Sequence, residues 1–163
     1  MEIKIIKEHA QIFYSYKKYI ILNGCPCSGK FYASCQKAVI NCMARRTRCA
    51  IYSESEEYAR YILKEIIGDS KFNSRLLLFD NNSTIDIIGH RYVDDMPRYD
   101  MLIVRSADIL THDTIEKITR KTTGQIILTC NDYSSNSWLM NASNLDVCCM
   151  LHITRPLWFC PII

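Results

Sequence analysis

One stretch of the chain has the residue types and the spacing to bind phosphate. It reads Gly24-Cys25-Pro26-Cys27-Ser28-Gly29-Lys30. In this spacing, backbone N–H groups wrap around a phosphate chain and the lysine reaches its outer oxygens. The next residue is Phe31, where the pattern places a serine or threonine hydroxyl that binds Mg²⁺. The loop therefore predicts phosphate binding by residues 24–31 without the side chain that organises the metal ion needed for hydrolysis.

The elements around this loop predict that it joins a strand to a helix. They are, in order, a strand at 19–23, a helix at 31–45, a strand at 48–53 and a helix at 54–67. The second helix has Ser53 or Ser55 as its start signal and Gly68 as its end signal. Alternating strands and helices favour a parallel sheet.

The pattern changes after residue 74. Two short apolar runs at 75–80 and 84–89 are joined by Asn81-Asn82-Ser83, a sequence typical of a tight turn, and so predict a β-hairpin. The later predicted elements are a buried strand at 99–104, a helix at 111–120, a strand at 124–131, a loop at 132–144, a strand at 147–153 and a tail from 155.

The residues before the first strand mix charged and aromatic side chains. Two interpretations are open for this segment, which covers residues 1–18. Gln11 and the aromatic residues after it contact a nucleotide base, or an amphipathic helix packs these side chains on the edge of the sheet. Gln11 is thus a candidate nucleotide-binding residue.

The composition predicts one globular domain in a reducing compartment. The chain has 163 residues, of which 48% are hydrophobic and 23% are charged, enough to bury a core. Its nine cysteines are odd in number and have no zinc-site spacing, so we interpret them as free thiols and predict no metal site. Neither a membrane span nor a signal peptide is recognisable.

A compact basic cluster follows the first predicted helix. Arg45, Arg46 and Arg48 lie at its end, although the formal net charge of +3 is too small to indicate nucleic-acid binding for the chain as a whole. Basic residues in a last helical turn complement the helix dipole. The alternative is that the three arginines contact DNA.

The order of these elements resembles the ATPase domain of phage terminase large subunits. Three strings carry the resemblance: 82–89 in the hairpin, 99–104, and 127–131 ahead of Ser137-Trp138-Leu139. The similarity spans residues 19–155. The alternative family is the AAA+ ATPases, such as helicase loaders, and the proline at position 26 resembles their phosphate loops. Gly89 and Trp138 favour the terminases.

The resemblance implies a fold and a domain organisation. The expected fold class is α/β, a three-layer P-loop NTPase-like sandwich with a mostly parallel central sheet and an inserted β-hairpin. The expected domain is single and covers residues 1–163, with 1–18 as a flank, 19–155 as the core and 156–163 as a tail. The resemblance implies a separate nuclease domain C-terminal to the ATPase domain, and we expect none within these 163 residues.

The resemblance also implies catalytic positions, several of which have the wrong residue. Lys30 and Asn131 match the phosphate-binding lysine and the position that couples the γ-phosphate to motion. The metal-binding acid and the general base are replaced by Arg105 and Ser106, with Asp108 as the candidate substitute. The implied ligand is ATP, and the Mg²⁺ requirement stays open, since Arg105 can neutralise phosphate charge instead.

Two cysteines of the loop also depart from the family pattern. Cys25 and Cys27 stand where the family has glycine, and a Cβ at these positions hinders a positive φ. The chain is therefore expected to be a degenerate ATPase that binds nucleotide weakly with little or no hydrolysis. The alternative is a non-enzymatic scaffold. The implied partners are DNA and the portal or other motor subunits, in a homo- or hetero-oligomer. The implied location is the cytoplasm of a bacterium or of a virus-infected host cell.

Overall fold

A computed structural model describes residues 3, 5, 7–68, 72–73, 76–89 and 92–153. The α-helices are α1 (Ala10–Tyr14), α2 (Lys30–Ala44), α3 (Glu56–Ile67), α4 (His112–Arg120) and α5 (Ser137–Ser143). The strands are β1 (Tyr19–Gly24), β2 (Arg48–Tyr52), β3 (Phe72–Asn73), β4 (Leu76–Leu78), β5 (Thr84–Ile88), β6 (Tyr99–Val104), β7 (Thr122–Cys130) and β8 (Cys148–Ile153). Short 3₁₀ turns lie at Lys7–His9, Ala107–Ile109 and Tyr133–Ser135.

The strands of the described ranges form one sheet in the order β3-β4-β5-β2-β6-β7-β1-β8. From β5 to β8 every neighbouring pair is parallel. β4 runs antiparallel to both of its neighbours, β3 and β5, and forms a hairpin with β5. The predicted mostly parallel sheet with an inserted hairpin is therefore confirmed.

Both faces of the sheet are covered by helices, which makes three layers. Alternate residues of β1 point to opposite faces, because strand side chains alternate with a period of two. Ile20 packs with α2 and α3 in one buried cluster, and Ile21 packs with α4 and α5 in the other. The three-layer α/β sandwich is therefore confirmed.

The helix starts follow local side chains. The Ser55 hydroxyl accepts a hydrogen bond from the backbone N–H of Tyr58, so Ser55, and not Ser53, caps α3. Thr111 caps α4 in the same way through the N–H of Thr114. Gly68 ends α3 with a φ of 81°.

The predicted loop at 132–144 is wrong in its second half, which forms α5. The Asn136 side chain accepts hydrogen bonds from the N–H groups of Trp138 and Leu139 and so starts the helix. Leu139 and Ala142, three residues apart, are buried against the sheet. The polar composition of this segment gives no helical pattern in which these two apolar residues stand out.

The predicted tail from 155 lies outside the described residues.

No helix within the described ranges has both the length and the apolar character needed to cross a lipid bilayer.

Candidate phosphate-binding site

The predicted phosphate loop lies between β1 and α2, at the carboxyl edge of the parallel strands. Gly24 has a φ of 152°, and a Cβ built on it would lie 1.9 Å from the carbonyl oxygen of Ile153 in β8. Only glycine fits both the conformation and the space. Gly29 has a φ of 77° and is the residue before α2. The two glycines therefore set where the chain leaves the sheet and where the helix begins.

The two cysteines of the loop are both exposed. Cys27 has a φ of 59°, although its Cβ disfavours this left-handed conformation by about 1–2 kcal/mol. Cys25 is not among the described residues with positive φ. The expected hindrance therefore raises the energy of the loop at Cys27 without preventing its turn.

Lys30 is folded onto the loop that contains it. Its Nζ donates hydrogen bonds to the carbonyl oxygens of Gly24 (2.7 Å) and Cys25 (2.5 Å) and to the Ser28 hydroxyl (3.2 Å). It also lies 3.5 Å from Oδ1 of Asn131. The structure thus brings together Lys30 and Asn131, the two catalytic positions that the resemblance implies.

Phe31 and Arg105, at the two positions expected to hold Mg²⁺, both contact the ring of Tyr58. The Phe31 ring stacks on the Tyr58 ring of α3, with centroids 5.9 Å apart and planes at 21°. The Arg105 guanidinium lies 4.5 Å from the centroid of Tyr58 and 5.9 Å from that of Phe31. We call Phe31, Tyr58 and Arg105 the cation–π cluster.

The cation–π cluster does not fit Mg²⁺. This ion requires oxygen ligands, usually from a hydroxyl and a carboxylate in sites that bind nucleotides, and a guanidinium repels it. Within the described ranges no group of three or more His, Cys, Asp or Glu side chains could hold a metal ion. The two positions where the resemblance implies metal ligands therefore carry a ring and a cation that contact each other.

Ser106 has a structural position in the turn after β6. Its φ is 53°, and its N–H donates to the hydroxyl of Thr129, which in turn donates to the carbonyl of Val104. The turn thereby joins the ends of β6 and β7. A serine hydroxyl does not activate water as a glutamate would.

Asp108 reaches the end of β7. Its Oδ2 accepts hydrogen bonds from the backbone N–H groups of Asn131 (3.1 Å) and Asp132 (3.4 Å), and its Oδ1 is buried and has no hydrogen-bond partner among the described residues. Burial lowers the pKa of Lys30, and the carboxylate of Asp108 is among the groups that act in the opposite direction. Burial, followed by Asp108, raises the pKa of Cys130 to about 12. Asp108 is therefore a carboxylate beside the loop lysine, held by the strand that carries Asn131.

One residue of the site had no signal in the sequence. His9 is buried, and its Nε2 donates a hydrogen bond to the carbonyl of Ser28 at 2.9 Å. The candidate Gln11 is exposed and lines a surface cavity of about 610 Å³ with Cys149 and Leu151 of β8. The 3₁₀ turn that precedes α1 places His9 against the loop, and no local pattern encodes this long-range contact.

The basic cluster lies at the opposite edge of the sheet from the loop. Arg45 and Arg46 follow α2 and are exposed, and Arg48 begins β2. The Arg48 guanidinium lies 3.5 Å from a carboxylate oxygen of Asp86 and 5.1 Å from the centroid of the Tyr99 ring. The structure therefore separates these arginines from Lys30 by the length of the strands.

The strand order and the loop between β1 and α2 define a P-loop NTPase-like fold. Solved structures with this fold include the large terminase of a thermophilic bacteriophage, at a TM-score of 0.74 and 13% identity over 91% of this chain and 45% of the other. The same terminase in complex with ADP has a TM-score of 0.71 and 13% identity, over 92% of this chain and 46% of the other. Its complex with ATP-γ-S has a TM-score of 0.72 and 13% identity, over 91% of this chain and 44% of the other.

The similarity establishes the fold that the sequence resemblance implied. This chain spans less than half the length of the terminase chains that it matches. No family model and no curated protein matches the sequence.

Proposed function

We propose that this chain is a terminase-like P-loop domain that binds a nucleoside di- or triphosphate without Mg²⁺ and hydrolyses it little or not at all. The cation–π cluster is the observation that carries the proposal. Hydrolysis by P-loop enzymes needs a metal ion to neutralise charge on the β- and γ-phosphates and a residue that positions the attacking water. Phe31 and Arg105 supply no metal ligand, and Ser106 is no base.

The phosphate-binding half of the site supports retention of the nucleotide. Lys30, the backbone of the loop and Asn131 converge on one place, and two of the similar terminase structures contain ADP or ATP-γ-S. Arg105 adds a permanent positive charge near Phe31, the residue directly after the loop lysine. In this proposal the guanidinium supplies part of the charge that Mg²⁺ supplies elsewhere, and Lys30 and Asn131 contact phosphate oxygens.

The fold also supports a proposal for partners. Because the solved structures compared above are terminases, we favour a terminase-like role over a helicase-loader role, with DNA and the portal or other motor subunits as partners. A chain that binds nucleotide without turnover would act there as a non-hydrolysing subunit or scaffold, in the cytoplasm of a bacterium or of a virus-infected host cell.

Binding and hydrolysis are measured separately to test the proposal. Isothermal titration with ADP and ATP is expected to give the same Kd in EDTA and in MgCl₂ within about twofold, and phosphate release is expected to stay at background. Lys30→Met should weaken binding about tenfold or more, because it removes a charge-assisted hydrogen bond to phosphate. Lys117→Met, which removes an equal charge from α4, is the matched control.

Two outcomes would contradict the proposal. Hydrolysis that requires Mg²⁺ and is lost in Lys30→Met would show an intact ATPase. If the folded protein binds neither ADP nor ATP, whether in EDTA or in MgCl₂, the alternative of a non-enzymatic scaffold describes it better.

A further inference from the structure

A groove runs along the amino edge of the sheet, on the opposite side from the phosphate loop. Three adjoining cavities of about 470, 310 and 390 Å³ form it and share Asp100 as a common wall residue. Arg45 lies between the first two cavities and Arg46 between the last two. We call this continuous depression the amino-edge groove.

The length of the groove follows from the strand order. It extends from Lys18, before β1, to Leu76 in β4, and so crosses the ends of β7, β6, β2 and β5. Five spacings of about 4.8 Å give a length of about 24 Å. One strand of nucleic acid with B-form spacing places about seven phosphates along this distance.

The groove is strongly positive. Its walls carry six cationic side chains against two carboxylates: Lys17, Lys18, Lys37, Arg45, Arg46 and Arg48 against Asp86 and Asp100. This excess is larger than the net charge of +3 of the whole chain. The groove therefore concentrates the positive charge of an otherwise balanced protein.

Several of these cations have partners that leave their charge in place. Lys18 donates to the carbonyl oxygens of Thr122 and Thr123, both at 2.9 Å, and the buried Lys37 donates only to backbone carbonyls. The guanidinium groups of Arg45 and Arg46 are exposed and form no ion pair with any described residue. Arg45 and Arg46 are therefore the cations most available to phosphates.

An aromatic ring lies at one end of the groove. Tyr16 lines the first cavity, and 93% of its surface is exposed. Exposed aromatic rings beside a basic channel are stacking platforms for the bases of single strands. The bases of a duplex are stacked on each other and cannot use such a ring. This ring and the adjoining cations favour a single strand over a duplex.

We propose that the amino-edge groove binds single-stranded nucleic acid, with phosphates at Arg45 and Arg46 and a base stacked on Tyr16. The groove and the phosphate loop lie at opposite edges of the sheet. The proposal therefore does not depend on nucleotide binding at Lys30, and both ligands can bind together.

Fluorescence anisotropy of the whole chain with a labelled oligonucleotide of about 12 residues tests this, at several salt concentrations. The single strand should bind more tightly than a duplex of the same sequence and than a polyglutamate peptide of equal length. Arg45→Gln/Arg46→Gln should weaken binding about tenfold and make the slope of log K against log[salt] about 1.4 less negative, at about 0.7 per lost contact. Tyr16→Ala should weaken binding of the single strand about fivefold or more and leave the duplex unchanged.

Lys117→Gln/Arg120→Gln removes two charges from α4, outside the groove, and should leave all affinities unchanged. Circular dichroism melts confirm that each variant is folded. Equal affinity for duplex and single strand, equal affinity for polyglutamate, or no binding at low salt would each overturn the proposal.

Discussion

The cation–π cluster gives a quantitative prediction for Arg105. Its guanidinium lies 4.5 Å from the Tyr58 centroid and 5.9 Å from the Phe31 centroid, both within the range of about 6 Å at which such pairs attract. Tyr58 is 41% exposed, so each contact contributes about 0.5–1 kcal/mol. Arg105→Gln should therefore lower the free energy of unfolding by about 1 kcal/mol and the Tm by about 2–4 °C.

A double-mutant cycle separates the contact from other effects of the change. Urea unfolding of the wild type, Arg105→Gln, Tyr58→Leu and the double variant should give a coupling energy of about 0.5–1 kcal/mol between the two side chains. A coupling energy indistinguishable from zero would refute the contact as a source of stability.

The same variants report on the nucleotide. If the guanidinium replaces Mg²⁺, Arg105→Gln should weaken ADP binding in EDTA about tenfold, because it removes a charge near the phosphates. Tyr58→Leu keeps the charge and should weaken ADP binding less, and Arg105→Lys should be intermediate, since lysine keeps the charge but not the planar stacking. Arg105→Gln with wild-type ADP affinity would refute the assignment of Arg105 to the nucleotide.

Three further predictions concern stability. Burial lowers the pKa of Lys37 to about 8, so above this pH the unfolded chain binds more protons than the folded chain. The unfolding free energy of the wild type relative to Lys37→Met should therefore rise by about 2 kcal/mol from about pH 7 to about pH 9.5. A difference that stays constant with pH would contradict the burial of a charged ammonium. Gly24→Ala should cost about 2–3 kcal/mol in urea unfolding, with Gly68→Ala, whose Cβ meets nothing within 4 Å, as a control that costs about 1 kcal/mol. Asp108→Ala should cost about 1–3 kcal/mol and speed hydrogen exchange at the Asn131 amide, and unchanged exchange would show that this hydrogen bond is not a constraint.

Much of the fold could be predicted because its signals are local. The phosphate loop is contiguous, so the spacing of Gly24, Gly29 and Lys30 was enough to place it between a strand and a helix. The hairpin around Asn82 and the caps of α3 and α4 depend on residues only a few positions apart. The helix at Ser137–Ser143 is not predicted, because its composition is polar and the Asn136 cap alone does not outweigh it, whereas the packing of Leu139 and Ala142 on the sheet does.

The sequence by itself determined the mostly parallel α/β fold, and it predicted a phosphate loop with Phe31 and Arg105 at the positions where metal ligands are expected. Only the tertiary structure decided what these residues contact: β6 and α3 bring Arg105 and Tyr58 to Phe31, and the 3₁₀ turn before α1 brings His9 to the loop. It also decided that the arginines after α2 line a groove at the far edge. The physical reason is that such contacts depend on strand order and helix packing, which join residues distant in the chain and which no local propensity encodes.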